Sequence, residues 1–327
     1  MKSLYLISRL LNPLAIVALL AGCGGTQNGT VPPVPSSQSR AHGESGSNGD
    51  LLYAATQSAI VVLSYPKWSI VARIPGAFYF VCSDPNTGNI FAIGNTEIEE
   101  YAHGGTTPIA TLTVPSGYSG FTGCSVDATT GNLAVPTAGG PNNRGAVLVY
   151  PGGQGEATPY SDSKLVDFRS AAYDGAGNLY ALGVNEATIP RIAELMVGQN
   201  QFTLIKLSEN DYPNKLQWDG AYLAFQTGNG RNLGSTVSQV EINGKTGTIV
   251  NSFKLSHCNS DYFWIHNGSL ISFYYPPKAR NNTAVAVWPY PAGGEPTSRF
   301  YGITKGRNDY AHDLTISVAP SGSHIRQ

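Results

Sequence analysis

The stretch SDPNTGNIFAI, Ser83–Ile93, packs an Asp, two Asn and a Thr into a short run. Such an oxygen-rich run is either a metal-holding loop or a tight turn between strands. Recurrence separates the two. SVDATTGNLAV follows at Ser125–Val135 and AYDGAGNLYAL at Ala172–Leu182, and weaker copies, QWDGAYLAF and WIHNGSLISF, occupy Gln217–Phe225 and Trp264–Phe273. The markers Asp84, Asp127, Asp174, Asp219 and Asn267 stand 43–48 residues apart, the period of a four-stranded propeller blade. In the best copies the Asp and the Gly-Asn recur, whereas Pro85, Asn86 and Thr87 become Ala128, Thr129 and Thr130. A turn keeps its geometry without keeping a ligand set, so the stretch reads as a turn that counts blades.

Short β-branched and aromatic runs separate the turns, with no amphipathic helix among them. The copy around Asp84 gives FYFVCS, NIFAIG, EIEEYA and IATLTV, and each later copy gives a comparable set. A Tyr with a Gly-Gly pair recurs between the third and fourth strands, at Glu100–Pro108, Val149–Pro159 and Pro289–Pro296. The glycines supply positive-φ turn positions. No helix follows them, so they are not a phosphate loop. At the start, DLLYAA (50–55) matches a second strand whose first strand is missing. Near the end, HDLTISVAPSG (312–322) matches a first strand with no partner. One C-terminal strand beside three N-terminal strands completes a blade and removes the exposed edges. The expected fold class is therefore all-β, a six-bladed propeller over residues 50–327.

The preceding residues read differently. Lys2 and Arg9 precede the apolar run Leu14–Leu20, which is of signal-peptide length and too short to span a bilayer. LAGC, Leu20–Cys23, resembles a bacterial lipobox. That resemblance implies a signal peptide over 1–22, cleavage before Cys23 and acylation of Cys23, hence a membrane anchor. Gly24 in place of Asp implies outer-membrane retention. Residues 23–49, rich in Gly, Ser, Pro and Asn, lack the apolar surface to fold and read as a disordered linker.

Charged residues make up 13% of the chain and the net charge is -1, which excludes a basic nucleic-acid surface. Cys82, Cys124 and Cys258 show no zinc-type spacing. Cys82 and Cys124 stand two and three residues before the marker Asp of adjacent copies. Strand alternation then points them to opposite faces, so buried free thiols are expected. No G-x-S-x-G elbow occurs, and GNGRNLG at Gly228 lies between strands instead of opening a helix.

The D-x-x-x-G-N-[LI]-[YF] turns and V-Y-P-x-G-G hairpins resemble bacterial propellers of the NHL and YVTN type across roughly residues 50–322. This superfold hosts scaffolds, receptors and hydrolases alike. The resemblance implies a ligand face opposite the Asp turns, formed by the loops joining strands two to three and strand four to the next blade. That face carries Arg144, Arg191, Arg231, Lys278 and Arg280, joined by Lys305 and Arg307. These form either a basic ring for an anionic or polyhydroxyl ligand, or ordinary polar loops. Tyr212, Tyr262 and Tyr310 each follow an Asp there. They either stack on sugar or pack between blades beside Asx turns, and the packed arrangement is the expectation. A gluconolactonase-like propeller would gather acidic and amide groups around a divalent cation. Asp211, Asp261, Asp309 and His312, with His257 nearby, are the weak catalytic candidates for it, although no Glu is placed to complete the set. The expected role is a non-catalytic binding or protein-interaction scaffold of the cell envelope, without a cofactor, whose partners are the membrane and an envelope protein or glycan. The alternatives are a metal-dependent lactonase-like hydrolase with its site at the channel mouth, or a carbohydrate or anion receptor.

Overall fold

Strands with apolar residues at consecutive positions must be covered on both faces, and the six residues of the first strand, Leu51–Thr56, are all buried. The computed structural model describes residues 49–207, 213–228, 234–274, 283–304 and 309–320. The expected signal peptide, Cys23 and almost all of the linker lie outside the described residues. Six blades follow in chain order. The first contains β1 (Leu51–Thr56), β2 (Ala59–Ser64) and β3 (Ile70–Pro75), and the second β4 (Phe80–Ser83), β5 (Ile90–Ile93), β6 (Ile98–Tyr101) and β7 (Pro108–Leu112). The third contains β8 (Ser119–Phe121), β9 (Ser125–Val126), β10 (Leu133–Gly139), β11 (Val147–Tyr150) and β12 (Thr158–Tyr160). The fourth contains β13 (Asp167–Tyr173), β14 (Leu179–Val184), β15 (Pro190–Leu195) and β16 (Thr203–Leu207). The fifth contains β17 (Lys215–Trp218), β18 (Leu223–Gly228), β19 (Ser235–Asn243) and β20 (Thr246–Leu255), and the sixth β21 (Cys258–His266), β22 (Ser269–Tyr274), β23 (Ala284–Pro289) and β24 (Ser298–Tyr301). The last strand, β25 (Ala311–Ser317), returns to the first blade and pairs antiparallel with β1, Leu52 opposite Ile316 and Ala54 opposite Leu314. The ring is thus closed by one C-terminal and three N-terminal strands.

The period-two alternation of each strand feeds two cores at once. Leu51, Tyr53 and Ala55 pack toward the second blade with Phe78, Val81 and Ile90. Leu52 and Ala54 pack toward the sixth with Ile271, Phe273 and Val285. Four further clusters fill the remaining interfaces between neighbouring blades. Each blade is therefore a sandwich filling, which is why its strands read as apolar runs. The outer strands β16 and β20 also pair in parallel, through Lys206 and Leu207, and join the fourth and fifth blades into one eight-stranded sheet. The Gly-Gly hairpins behave as turns. Gly153 has φ 65°, and a Cβ there would stand 2.7 Å from the Phe91 ring of the second blade.

Cys82 and Cys124 correct the expectation of free thiols: they form a disulfide between the second and third blades. The alternation argument assumed one continuous inner strand in the third blade. That strand is broken into β8 and β9, with Gly123 and Cys124 between them, and the irregular segment turns Cys124 toward its neighbour. Cys258 is free and buried.

Candidate binding site in the central channel

The inner strands of the blades run from the loop face to the turn face and line the channel. At the turn face the recurrent carboxylates are engaged by their own turns and, at Asp219, also by Gln239 and Tyr290. Asp84 accepts hydrogen bonds from the Asn86 N–H (2.8 Å) and the Thr87 hydroxyl (2.7 Å). Asp127, 1% exposed, accepts from the N–H and hydroxyl of Thr129 (both 2.8 Å) and the Thr130 hydroxyl (2.5 Å). Asp174 accepts from the Ala176 and Asn178 N–H groups and the Asn178 side-chain amide, each at 2.9 Å. At Asp219 burial pushes the carboxyl pKa up, but hydrogen bonds from Tyr290, the Tyr222 and Ala221 N–H groups and Gln239 outweigh it and leave it lowered. These are Asx turns, with the oxygens of a metal loop spent on backbone and hydroxyl donors. Among the described residues no group of three or more His, Cys, Asp and Glu side chains is placed to hold a metal ion.

Deeper in the channel, side chains of one inner strand satisfy backbone groups of the next. The Val81 N–H donates to Asp313 and the Ser83 hydroxyl donates to the Ile316 carbonyl, linking blades two and one. Thr122 donates to the Phe168 carbonyl, and Ser125 accepts from the Tyr173 N–H, linking blades three and four. Ser170 accepts from the Leu216 N–H, linking blades four and five. The Gln217 amide holds both the N–H and the carbonyl of Ile265, linking blades five and six. The disulfide joins blades two and three, and His266 meets Asp50 at 3.5 Å between blades six and one.

One link spans further. Lys215 on β17 places its ammonium 3.2 Å from both oxygens of Asp313 on β25, reaching past the sixth blade to the first. Asp313 is 0% exposed and Lys215 5%. Burial pushes the Asp313 carboxyl up, while Lys215 and the N–H groups of Leu314 and Val81 pull it back. The ammonium also lies 5.6 Å from the Tyr262 ring centroid.

Below this pair the channel widens into a cavity of about 260 Å³ that opens on the turn face. Its rim takes one or more residues from every blade, among them Val318, Pro85, Ala128, Asp174, Trp218 and His266. Tyr173 and Trp264 complete the wall, and Lys215 lies deepest in the strand register. Trp218 and Trp264 are half-buried. Each packs against an inter-blade core with part of its ring and presents the rest to the cavity. Neither indole N–H has a protein partner among the described residues. Sequence reading missed these two residues. The available signal was Trp218 directly before its marker Asp, where blades two and three carry Ser83 and Val126; Trp264 lies two residues further back from its own marker, near the end of β21.

On the opposite face, Arg144 donates to the Ser163 carbonyl (2.5 Å) and meets Glu186 at 3.4 Å. Arg191 is exposed and donates to its neighbour's carbonyl at Pro190. Arg231, Arg280, Arg307, Lys278, Lys305, Asp211 and Tyr212 lie outside the described residues, as does the side chain of Asp261. Tyr262 tilts against Phe80 at 5.9 Å, between blades six and two. Tyr310 is 56% exposed, so the expected packing between blades does not hold there; it stands outside the inner strand, just before β25. Asp309 accepts from the Ser58 N–H at 3.2 Å. His312 packs edge-on to Tyr79, and its Nε2 is buried without a hydrogen-bond partner among the described residues. Burial lowers its pKa, against the opposing pull of Asp309 and Asp313. His257 lies 3.8 Å from Glu295, apart from that group.

Fold and site define a closed six-bladed β-propeller with an aromatic-walled central cavity. No protein-family model matches the sequence, and no curated protein matches it. Solved structures do match. A chain from the crystal structure of a nidogen/laminin complex aligns at TM-score 0.61 and 15% identity, over 83% of this chain and 100% of that one. A putative TolB from Agrobacterium tumefaciens aligns at TM-score 0.55 and 11% identity, over 84% and 100%. TolB from Acinetobacter baumannii aligns at TM-score 0.58 and 11% identity, over 82% of this chain and 66% of that one. At these identities the likeness is one of propeller fold.

Proposed function

We propose that this chain is an exported, lipid-anchored propeller of the NHL/YVTN type that works by binding, as an interaction scaffold at the bacterial cell envelope. The observation that carries the binding role is the channel. Its inner strands are laced to one another, its ionic pair is internally neutralised, and its open end presents two half-exposed indoles. That is a rigid, water-accessible recess with unspent aromatic surface, the usual make-up of a recognition site. The disulfide between blades supports an oxidising compartment. LAGC supports the anchor at Cys23, Gly24 supports the outer membrane, and the near-zero net charge argues against nucleic acid. The chain matched from the nidogen/laminin complex was crystallised in a protein complex, which supports a role for the fold in protein association.

Three measurements test the proposal. Labelled palmitate is incorporated by the wild type and not by Cys23→Ser; an unlabelled wild type sinks the anchor. A photo-crosslinker placed at the exposed rim residue Ala128 captures a specific envelope component, and Trp218→Ala reduces the capture. Turnover of lactones that needs a divalent cation and is lost in Asp309→Asn and His312→Gln would replace the scaffold with the hydrolase.

A further inference from the structure

We propose that the turn-face cavity binds one neutral sugar ring, as a free hexose or as the terminal unit of a glycan; this rests on the binding role above and names its ligand. Size is the first constraint. At about 260 Å³ the cavity falls below the ~300–1,000 Å³ that encloses drug-sized molecules, so it takes a single ring. Charge is the second. The Lys215 ammonium at the inner end is held by both Asp313 oxygens and has little left for an anion. The Asp174 carboxylate at the rim is likewise taken up by three donors of its own turn, so a cation finds no free counter-charge there either. A neutral occupant remains.

Surface chemistry is the third constraint. Pro85, Ala128, Ile316 and Val318 supply apolar wall, Trp218 and Trp264 supply ring surface, and the Trp218 indole N–H lies 3.7 Å from where a Cβ on the wall residue Gly175 would stand. A purely apolar occupant strips water from that donor and leaves it unpaired, at about tenfold in affinity. A pyranose has apolar C–H faces for the indoles and a hydroxyl edge that accepts from the Trp218 N–H. The Ser125 hydroxyl, which accepts the Tyr173 N–H and keeps its own proton to donate, stands in the same wall. The ring of the ligand and the wall of the cavity are amphipathic in the same way.

The test is a calorimetric and tryptophan-fluorescence titration of the full chain with glucose, galactose, mannose and N-acetylglucosamine, with indole as an aromatic counter-probe. The expected result is saturable binding of at least one sugar with Kd on the order of 1 mM, as a ligand of this size gives. Trp218→Phe, which keeps a ring and loses the N–H, weakens it about tenfold or more. Gly175→Leu is the blocking variant. Gly175 is an exposed rim residue whose added Cβ meets nothing closer than the Trp218 Nε1 at 3.7 Å, so the side chain enters the mouth without disturbing the fold and abolishes binding. Trp68→Phe, away from the cavity, leaves it unchanged. Sugar binding that survives Gly175→Leu overturns the site. Indole binding with the same dependence on Trp218 and Gly175, without sugar binding, overturns the ligand class and leaves the binding role standing. No response to any probe overturns the sugar assignment and its site, while the binding role is decided separately by capture at Ala128.

Discussion

The covalent link between blades two and three lends itself to a quantitative test. Cys82 and Cys124 are separated by 42 residues. Closing a loop of that length removes about 13 cal/mol/K of chain entropy from the unfolded state, or about 4 kcal/mol at 25 °C. Cys82→Ala, Cys124→Ala and the double variant each abolish the same bond. The three are therefore expected to lose about the same stability in guanidinium denaturation, roughly 4 kcal/mol, and far from the sum of two singles. Wild type reduced in the unfolded state falls beside them. A thiol titration of the unfolded, unreduced Cys23→Ser protein checks the premise. One of the three remaining cysteines, Cys258, reacts, because only it is free. Three reacting thiols refute the bond. A loss below about 1 kcal/mol, or singles that add, refutes the reasoning that the bond acts by constraining the unfolded chain.

Three further outcomes follow from buried polar groups. Lys215→Met leaves Asp313 buried and unpaired and costs about 3–5 kcal/mol, whereas pairing it with Asp313→Leu recovers most of the loss in the same denaturation assay. His312 has a folded pKa lowered below its ordinary 6.5. Its contribution is full above that value and declines as pH falls, because the unfolded chain takes the proton first. The melting temperature should therefore fall between about pH 7 and pH 5 more steeply in wild type than in His312→Gln. Asp127→Ala removes the acceptor for three donors and costs about 1–3 kcal/mol; EDTA leaves the wild-type melting temperature unchanged, and a chelator-induced drop would restore the metal-loop reading of the recurrent turn.

Local chemistry made the fold legible. An Asp that caps its own turn and a Gly-Asn three or four residues after it leave a mark in every good copy, and strands buried on both faces read as apolar runs. The unmatched strands at the two ends then required closure, and β25 beside β1 supplies it. What stayed hidden depends on distances that sequence does not carry. Lys215 and Asp313 are 98 residues apart and meet only because the ring closes. The Cys82–Cys124 bond was misjudged because a broken strand does not alternate. Tyr310 and Tyr262 share an Asp-Tyr pair in sequence, yet one is exposed and the other tilts against Phe80. A dipeptide fixes a local turn and not the direction of the side chain that follows it.

The two ends of the channel are separate sites in physical terms. Every wall residue of the cavity belongs to an inner strand or the break between β8 and β9, to a turn between the first two strands of a blade, or to the chain just past β25. None comes from the loop face that carries Arg144 and Arg191. Lys215, the deepest of them in register, is locked to Asp313 across the channel. A ligand in the cavity therefore reaches the loop-face arginines only by breaking a buried ion pair, which costs several kcal/mol. The chain also enters and leaves the ring at the cavity face: Asp50 precedes β1 there, bonds to the Ala319 N–H and meets His266 at the rim. The aspartates of SDPNTGNIFAI and its relatives are consumed in holding this face together. The groups left unspent are the two indoles between those turns, and recognition has to be built from them.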